Sequence, residues 1–249
     1  VHAHSPGLAK RESALTLSRM VHFTLFGIPV YIRPSFWVVL AIFGGALSIS
    51  SVEDLIYPAL FVIAGFVAIL SHEMGHALVG RKLGGGQQTI VLELFGGLTS
   101  SHGMQLTRGG RALMILAGPM MTLLLGIISL WLTWNIVAPV MTSYNLNFWD
   151  LAISPFTAAL ISPKLYILSC LIMIGEWWTI LNLLPIYPLD GGQLIAQYIR
   201  SPRKVFMTGF ITAILIGLLS FQLFHGYFIP IFMALFAYSN YREYKNAPF

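Results

Sequence analysis

The chain of 249 residues is 57% hydrophobic and only 9% charged, against about 25% charged residues in a usual soluble protein. This composition excludes an ordinary soluble domain and indicates an integral membrane protein surrounded by the lipid bilayer. The net charge of +5 comes from basic residues scattered beside apolar segments. Such a distribution reports membrane topology and speaks against nucleic-acid binding.

The predicted fold is an α-helical multi-pass membrane protein with a small membrane-associated β-sheet or hairpin. Residues 1–19 lack an apolar core long enough for a signal peptide and are predicted to be a mobile tail or a vector-derived remnant. Residues 20–249 are predicted to form one domain with its core at 55–200. About six transmembrane helices are expected, since each needs about 20 apolar residues, at Ser35–Ser51, Leu55–Val79, Ala112–Trp134, Leu165–Leu184, Val205–Phe224 and Tyr227–Tyr238.

Topology follows from the basic residues. With six spans, every Lys and Arg except Lys164 lies on one side of the membrane. The positive-inside rule then predicts that both termini are cytoplasmic. His72 lies about 25 Å along the second span at 1.5 Å per residue, which predicts a position in the cytoplasmic part of the bilayer.

Two segments are predicted to be extended rather than helical. His22–Arg33, with a glycine and a proline between short apolar runs, is typical of a hairpin. The second is the β-rich run Thr89–Leu94, which Phe95-Gly96-Gly97 follows. Such backbone is tolerated near a membrane only where protein buries it or where it lines a wet cavity. We therefore predict a substrate platform there, on which a substrate segment adds as a strand along Thr89–Leu94, with Val91, Gly96 and Gly97 as contact residues.

The second predicted span contains the pattern H-E-x-x-H. Positions i and i+4 share a helix face, so His72 and His76 can present two imidazoles to one zinc ion. In metalloproteases with this pattern, the intervening glutamate, here Glu73, is the general base. Five residues with two free positions also occur by chance. However, charged groups at bilayer depth cost roughly 2.5 kcal/mol or more and persist mainly for function.

A catalytic zinc needs a third protein ligand, and the sequence offers four candidates: Glu93, His102, Glu176 and Asp190. Asp190 is favoured because Pro185 and Pro188 must break the fourth predicted span just before it, at about the depth of His76. The alternative is that Asp190 caps a turn before two glycines. Glu176 is an alternative ligand or a supporting polar group, and Asn182 has a helix-capping alternative.

Together the motifs resemble the site-2 protease family of intramembrane zinc metalloproteases. The family patterns are H-E-x-x-H and N-x-x-P-x-x-x-L-D-G, and both are matched in full, the second from Asn182 to Gly191. Two weaker matches are Phe95-Gly96-Gly97, which looks like the family's β-hairpin, and Ala117-Gly118-Pro119, which looks like its third-helix motif. Family members often append PDZ or CBS domains, and neither is expected in this chain.

The resemblance implies one zinc ion per chain, held by His72, His76 and Asp190, with Glu73 as the base. It also implies that Asn182 contacts substrate backbone or stabilises the oxyanion. The expected reaction is hydrolysis of a peptide bond in or next to a transmembrane helix of a membrane-protein substrate, in regulated intramembrane proteolysis. A regulatory membrane partner remains open, as does the alternative of a transporter or metal-ion permease that uses the same His and carboxylate cluster.

Overall fold

Helices make up most of the structure. The computed structural model describes residues 20–94, 96–144 and 147–248. The α-helices of this part, numbered in chain order, are α1 (Pro34–Phe43), α2 (Ile56–Gly84), α3 (Arg108–Tyr144), α4 (Phe148–Ile153), α5 (Pro155–Ala159), α6 (Pro163–Leu183), α7 (Asp190–Ala196), α8 (Pro202–Phe224) and α9 (Phe228–Asn246). The predicted tail at 1–19 and Phe95 lie outside the described residues.

Within the part of the chain that the structure describes, four helices are long and apolar enough to cross a membrane, namely α2, α3, α6 and α8. The predicted count of about six is not confirmed. Gly44 and Gly45 end α1 after 10 residues, or about 15 Å, which is half a hydrocarbon core. Helix α9 has 19 residues, but its last two turns carry charged groups such as Arg242 and Glu243. The first predicted span is therefore shorter than a membrane-crossing helix, and the last carries charges at its end, so neither is among the four candidates.

The helix that carries H-E-x-x-H extends beyond its predicted end. Helix α2 continues past Val79 and takes in Arg81 and Lys82, whose positive charges suit the negative end of the helix dipole. Gly85, with φ of +67°, then stops the helix. His72 lies about 24 Å from the first residue of α2.

Both predicted extended segments are strands, and they join in one sheet. Strands β1 (Val21–Leu25) and β2 (Ile28–Ile32) form the first hairpin, and β3 (Gln87–Glu93) and β4 (Gly96–His102) form the second. A parallel pairing of β2 with β3 gives the order β1-β2-β3-β4. The small predicted sheet is thus confirmed, with four strands instead of isolated hairpins.

The sheet is fixed against α2 by its apolar face. Alternate residues of β2 and β3 point inward and are buried, as the period of two requires. They form one cluster with residues of α1 and α2: Ile28, Val30, Ile32, Phe36, Leu40, Ile69, Leu70, Met74, Ala77, Ile90 and Leu92. This cluster holds the strands beside the turn of α2 that carries the two histidines.

The free edge of the sheet differs from the predicted one. Val91 pairs with Tyr31 of β2 on one side and with Leu98 of β4 on the other, so β3 has neighbours on both edges at residues 90–92. The prediction that a substrate strand pairs there is therefore corrected. The parallel contact between two hairpins far apart in sequence causes the difference. In the order β1-β2-β3-β4 the outer strands are β1 and β4, and the one next to α2 is β4.

Candidate metal centre and catalytic site

The two histidines of H-E-x-x-H meet on one buried face of α2. The Nε2 atoms of His72 and His76 lie 3.0 Å apart, and the two rings are nearly perpendicular. Both side chains and that of Glu73 are buried. A helix places residues i and i+4 one above the other, so this convergence follows from the spacing in the sequence.

Asp190 reaches the same point from a different part of the chain. Helix α6 ends at Leu183, the chain turns through both prolines, and Asp190 is the first residue of α7. Its Oδ2 atom lies 3.0 Å from Nε2 of His72 and 3.3 Å from Nε2 of His76. Only 5% of Asp190 is exposed. The structure thus brings together the three residues predicted as ligands.

The loop before Asp190 is held tightly on both sides. A Cβ atom on Gly191 would lie 2.2 Å from the Leu183 carbonyl oxygen, and one on Gly192 would lie 2.4 Å from the Ile186 carbonyl carbon. These two glycines let α7 fold back against the end of α6. On the other side, the buried Asn240 of α9 donates its Nδ2–H to the Tyr187 carbonyl at 2.7 Å.

Helix α3 orients His76. The Nδ1–H group of this ring donates to the backbone carbonyl of Met114 at 2.8 Å, which leaves Nε2 as the free lone pair. Such a hydrogen bond is the usual support of a metal-bound histidine. Gly118 makes room for the ring, because a Cβ atom there would lie 2.2 Å from Nε2 of His76. The weaker motif Ala117-Gly118-Pro119 thus lies directly beside the histidine.

The donor set fits a zinc ion. Zinc bonds to imidazole nitrogen and carboxylate oxygen at about 2.0–2.2 Å, so its tetrahedral ligand atoms lie about 3.3 Å apart. The three donor atoms here are separated by 3.0 to 3.3 Å. In the tautomers that bind a metal, these atoms are two lone pairs and an anionic oxygen in mutual repulsion, and a bound cation removes that repulsion. Among the described residues, this is the one group of three such side chains.

Glu73 is held by strand β4 beside the cluster of His72, His76 and Asp190. Its Oε2 atom accepts a hydrogen bond from the Thr99 hydroxyl at 2.7 Å. Gly97 lies against the same side chain, since a Cβ atom there would be 2.2 Å from Cγ of Glu73. The carboxylate therefore lies between the strand and the helix, in the wall of a cavity.

That cavity has a volume of about 570 Å³ and also reaches the ligand cluster. Asn182 and Gly97, both predicted to contact substrate, line it. Asn182 is buried and donates to the Trp178 carbonyl at 2.9 Å, the helix-end hydrogen bond considered as its alternative role. Gly96 lies beside the Trp178 ring, whereas Val91 is not among the lining residues.

The other candidate ligands lie elsewhere. Glu93 pairs with Arg33 at 3.2 Å, and both side chains are close to half exposed. His102 and Glu176 are exposed and do not line the cavity. None of these three joins the cluster of His72, His76 and Asp190.

Two residues of the site were missed in the sequence, namely Thr99 and Asn240. A threonine in a strand carries no signal of its partner, because the contact with Glu73 spans 26 residues. Asn240 does carry a weak signal, as an amide within the aromatic end of the last helix. Its partner, 53 residues away, is a backbone carbonyl and is invisible in the sequence.

Comparison with known proteins assigns the family. The model of Peptidase family M50 matches residues 60–224, about two thirds of the chain, and includes both motifs. A zinc metalloprotease of Methanocaldococcus jannaschii is 29% identical over 227 residues, which cover 87% of this chain and 57% of that protein. A relative from Synechocystis is 28% identical over 188 residues, or 71% of this chain and 43% of the relative.

The fold is also found among solved structures. A site-2 protease from Methanocaldococcus jannaschii aligns with a TM-score of 0.57 and 23% identity, over 90% of this chain and 95% of that one. The chain spans about half the length of the curated relatives it matches. The resemblance predicted from the two motifs is confirmed: the chain belongs to peptidase family M50.

Proposed function

We propose that this protein is a zinc-dependent endopeptidase that hydrolyses a peptide bond in or next to a transmembrane helix of a membrane-protein substrate. The observation that carries the proposal is the buried triangle of His72, His76 and Asp190, with Glu73 beside it. Membership of a peptidase family supports the reaction type. The four apolar helices support an integral membrane protein.

The three residues of the triangle would hold one zinc ion. When bound, zinc lowers the pKa of a coordinated water from about 15.7 towards about 7 and polarises a substrate carbonyl. Glu73 takes the proton from the attacking water and passes it to the leaving amide nitrogen. The Met114 carbonyl keeps His76 in the tautomer with a free Nε2.

Binding of the substrate requires an extended backbone. A transmembrane helix hides its carbonyls in its own hydrogen bonds, and opening it in the bilayer needs replacement partners. The free edge of β4 supplies such partners by strand addition. Gly96 and Gly97 lie at the start of this strand, and Asn182 lies across the cavity. We assign these three residues to substrate binding, with Asn182 placed to donate to a backbone carbonyl or the oxyanion.

The site would face the cytoplasmic leaflet. Basic residues gather at the C-terminal end of α2 and at the start of α3, near Arg81 and Arg108. The positive-inside rule places such ends in the cytoplasm. Water would then enter the cavity from that side, together with the scissile segment.

The loop that carries Asp190 should depend on Asn240. In the Asn240→Leu variant, which keeps the side-chain size, the Tyr187 carbonyl loses its buried donor at a cost of about 1–3 kcal/mol. We expect zinc affinity, measured by chelator competition, to fall about tenfold. Asn246→Leu, at the exposed end of the same helix, is the matched control and should bind zinc like the wild type. Equal affinities for the two variants would remove Asn240 from this role.

The experiment for the proposed function uses the purified chain reconstituted with a single-span membrane substrate. Cleavage should stop after removal of zinc by a chelator and return after zinc is added back. A transporter would instead move zinc across the vesicle membrane and leave the substrate intact. Zinc flux without cleavage would therefore overturn the proposal. No second ligand cluster that would serve a transit path is found among the described residues.

A further inference from the structure

Thr99 makes the most direct contact with Glu73 of any side chain outside the two motifs. Its hydroxyl oxygen lies 2.7 Å from Oε2 of Glu73 and 3.1 Å from the Glu73 backbone oxygen. A hydroxyl carries one proton, and the shorter contact is to the charged acceptor. Hydrogen bonds to an ionised group are the stronger ones, so Thr99 donates to the carboxylate.

The contact belongs to one face of strand β4. Gly97 and Thr99 are two residues apart and therefore point to the same side of the sheet. A side chain at position 97 would collide with Glu73, whereas the side chain at position 99 binds it. This face of β4 therefore accommodates Glu73, because position 97 has no side chain and position 99 provides a hydrogen-bond donor.

The same strand has the free edge beside the cavity. Strand β3 occupies one edge of β4 through the pairs from Gln87↔His102 to Glu93↔Gly96. The other edge has no strand among the described residues. A substrate segment that pairs there would lie along the strand that holds Glu73.

We propose that Thr99 is a positioning residue that fixes the carboxylate of Glu73 and ties it to the strand that receives the substrate. This inference rests on the proposed function, in which Glu73 is the base. A substrate strand that pairs with β4 then restricts the motion of this strand. The Thr99 hydroxyl restricts the Glu73 carboxylate in turn. Edge pairing and proton transfer are coupled through one hydrogen bond.

The test compares Thr99→Val, which keeps the shape and removes the hydroxyl, with Thr99→Ser, which keeps the hydroxyl. The matched control is Thr89→Val on β3, at a residue that does not line the cavity. Each variant is measured for kcat, KM, zinc content, zinc dissociation rate and melting temperature. Loss of a hydrogen bond to a charged group should lower kcat about tenfold or more in Thr99→Val. KM, zinc content and zinc dissociation should not change.

If the hydroxyl at position 99 positions Glu73, Thr99→Ser and Thr89→Val should retain kcat within about twofold of the wild type. Unchanged kcat in Thr99→Val would overturn the inference about Thr99 and leave the proposed protease function intact. A drop in kcat with zinc loss or a lower melting temperature, without rescue by serine, would show a packing role and overturn it too. A zinc-loaded wild type without cleavage would instead defeat the proposed function.

Discussion

Glu73→Gln is expected to abolish cleavage while zinc stays bound. The amide keeps the shape of the carboxylate but cannot accept a proton, and general base catalysis contributes about 10²- to 10⁴-fold to rate. The three residues of the triangle are unchanged in this variant, so zinc content by elemental analysis should equal that of the wild type.

Glu53→Gln is the matched control, because Glu53 is exposed just before α2 and far along the helix from the cluster. It should cleave at the wild-type rate. If a Glu73→Gln preparation free of contaminating protease still cleaved the substrate substantially, Glu73 would not be the base. Loss of zinc from that variant would mean that the carboxylate supports the metal instead.

Gly118→Ala is expected to disable the metal centre from a neighbouring helix. The added methyl would lie 2.2 Å from Nε2 of His76, the atom that faces the other two donors. Either the ring turns away or α3 moves, and the first outcome removes a ligand. We expect zinc affinity, measured by chelator competition, to fall by about 10- to 100-fold, which is the usual effect of changing a residue that supports a metal ligand.

Gly109→Ala on the same helix separates this effect from helix propensity. Gly118→Ala gains about 1 kcal/mol of helix propensity and Gly109→Ala, in the first turn of α3, gains less, but a Cβ atom on Gly109 meets nothing within 4 Å. The control should bind zinc normally. Normal zinc affinity in Gly118→Ala would show that His76 does not need its present orientation, and the ligand assignment would fail there.

The convergence of His72, His76 and Asp190 could be predicted, because each of the two segments involved has a local cause. His72 and His76 share a face by helical spacing, and Pro185 and Pro188 force the break that precedes Asp190. Counting residues along the predicted spans then placed His76 and Asp190 at about the same depth in the bilayer, without any knowledge of contacts. The structure places all three donor atoms within 3.3 Å of one another.

The surroundings of the cluster could not be predicted, because they depend on contacts distant in sequence. The β-rich run of β3 predicts a strand but not its neighbours, and parallel pairing with β2 encloses it at residues 90–92. The free edge therefore moves to β4, whose Gly97 and Thr99 contact Glu73. The hydrogen bond from Asn240 to the Tyr187 carbonyl could not be predicted for the same reason. Its acceptor is a backbone group, which every residue has, so the sequence does not single it out.

The predicted count of about six spans is not confirmed, and the first predicted span shows why length matters. The apolar run from Ser35 to Ser51 suggested a full crossing, but two glycines divide it and leave only the 10-residue α1. A hydrophobic stretch predicts burial or contact with lipid, and not by itself a continuous helix. In this chain α1 instead packs its buried Phe36 and Leu40 against α2 and the sheet.

The position of the cut bond tests the central claim most directly. The zinc-loaded protein would be reconstituted with a single-span substrate in sealed vesicles containing ¹⁸O-labelled water, and both fragments would be identified by mass spectrometry. The account predicts new ends within or next to the transmembrane segment and one ¹⁸O atom in the new carboxyl group, with neither product formed by Glu73→Gln. Cuts confined to regions remote from the membrane, or identical products from Glu73→Gln, would contradict it.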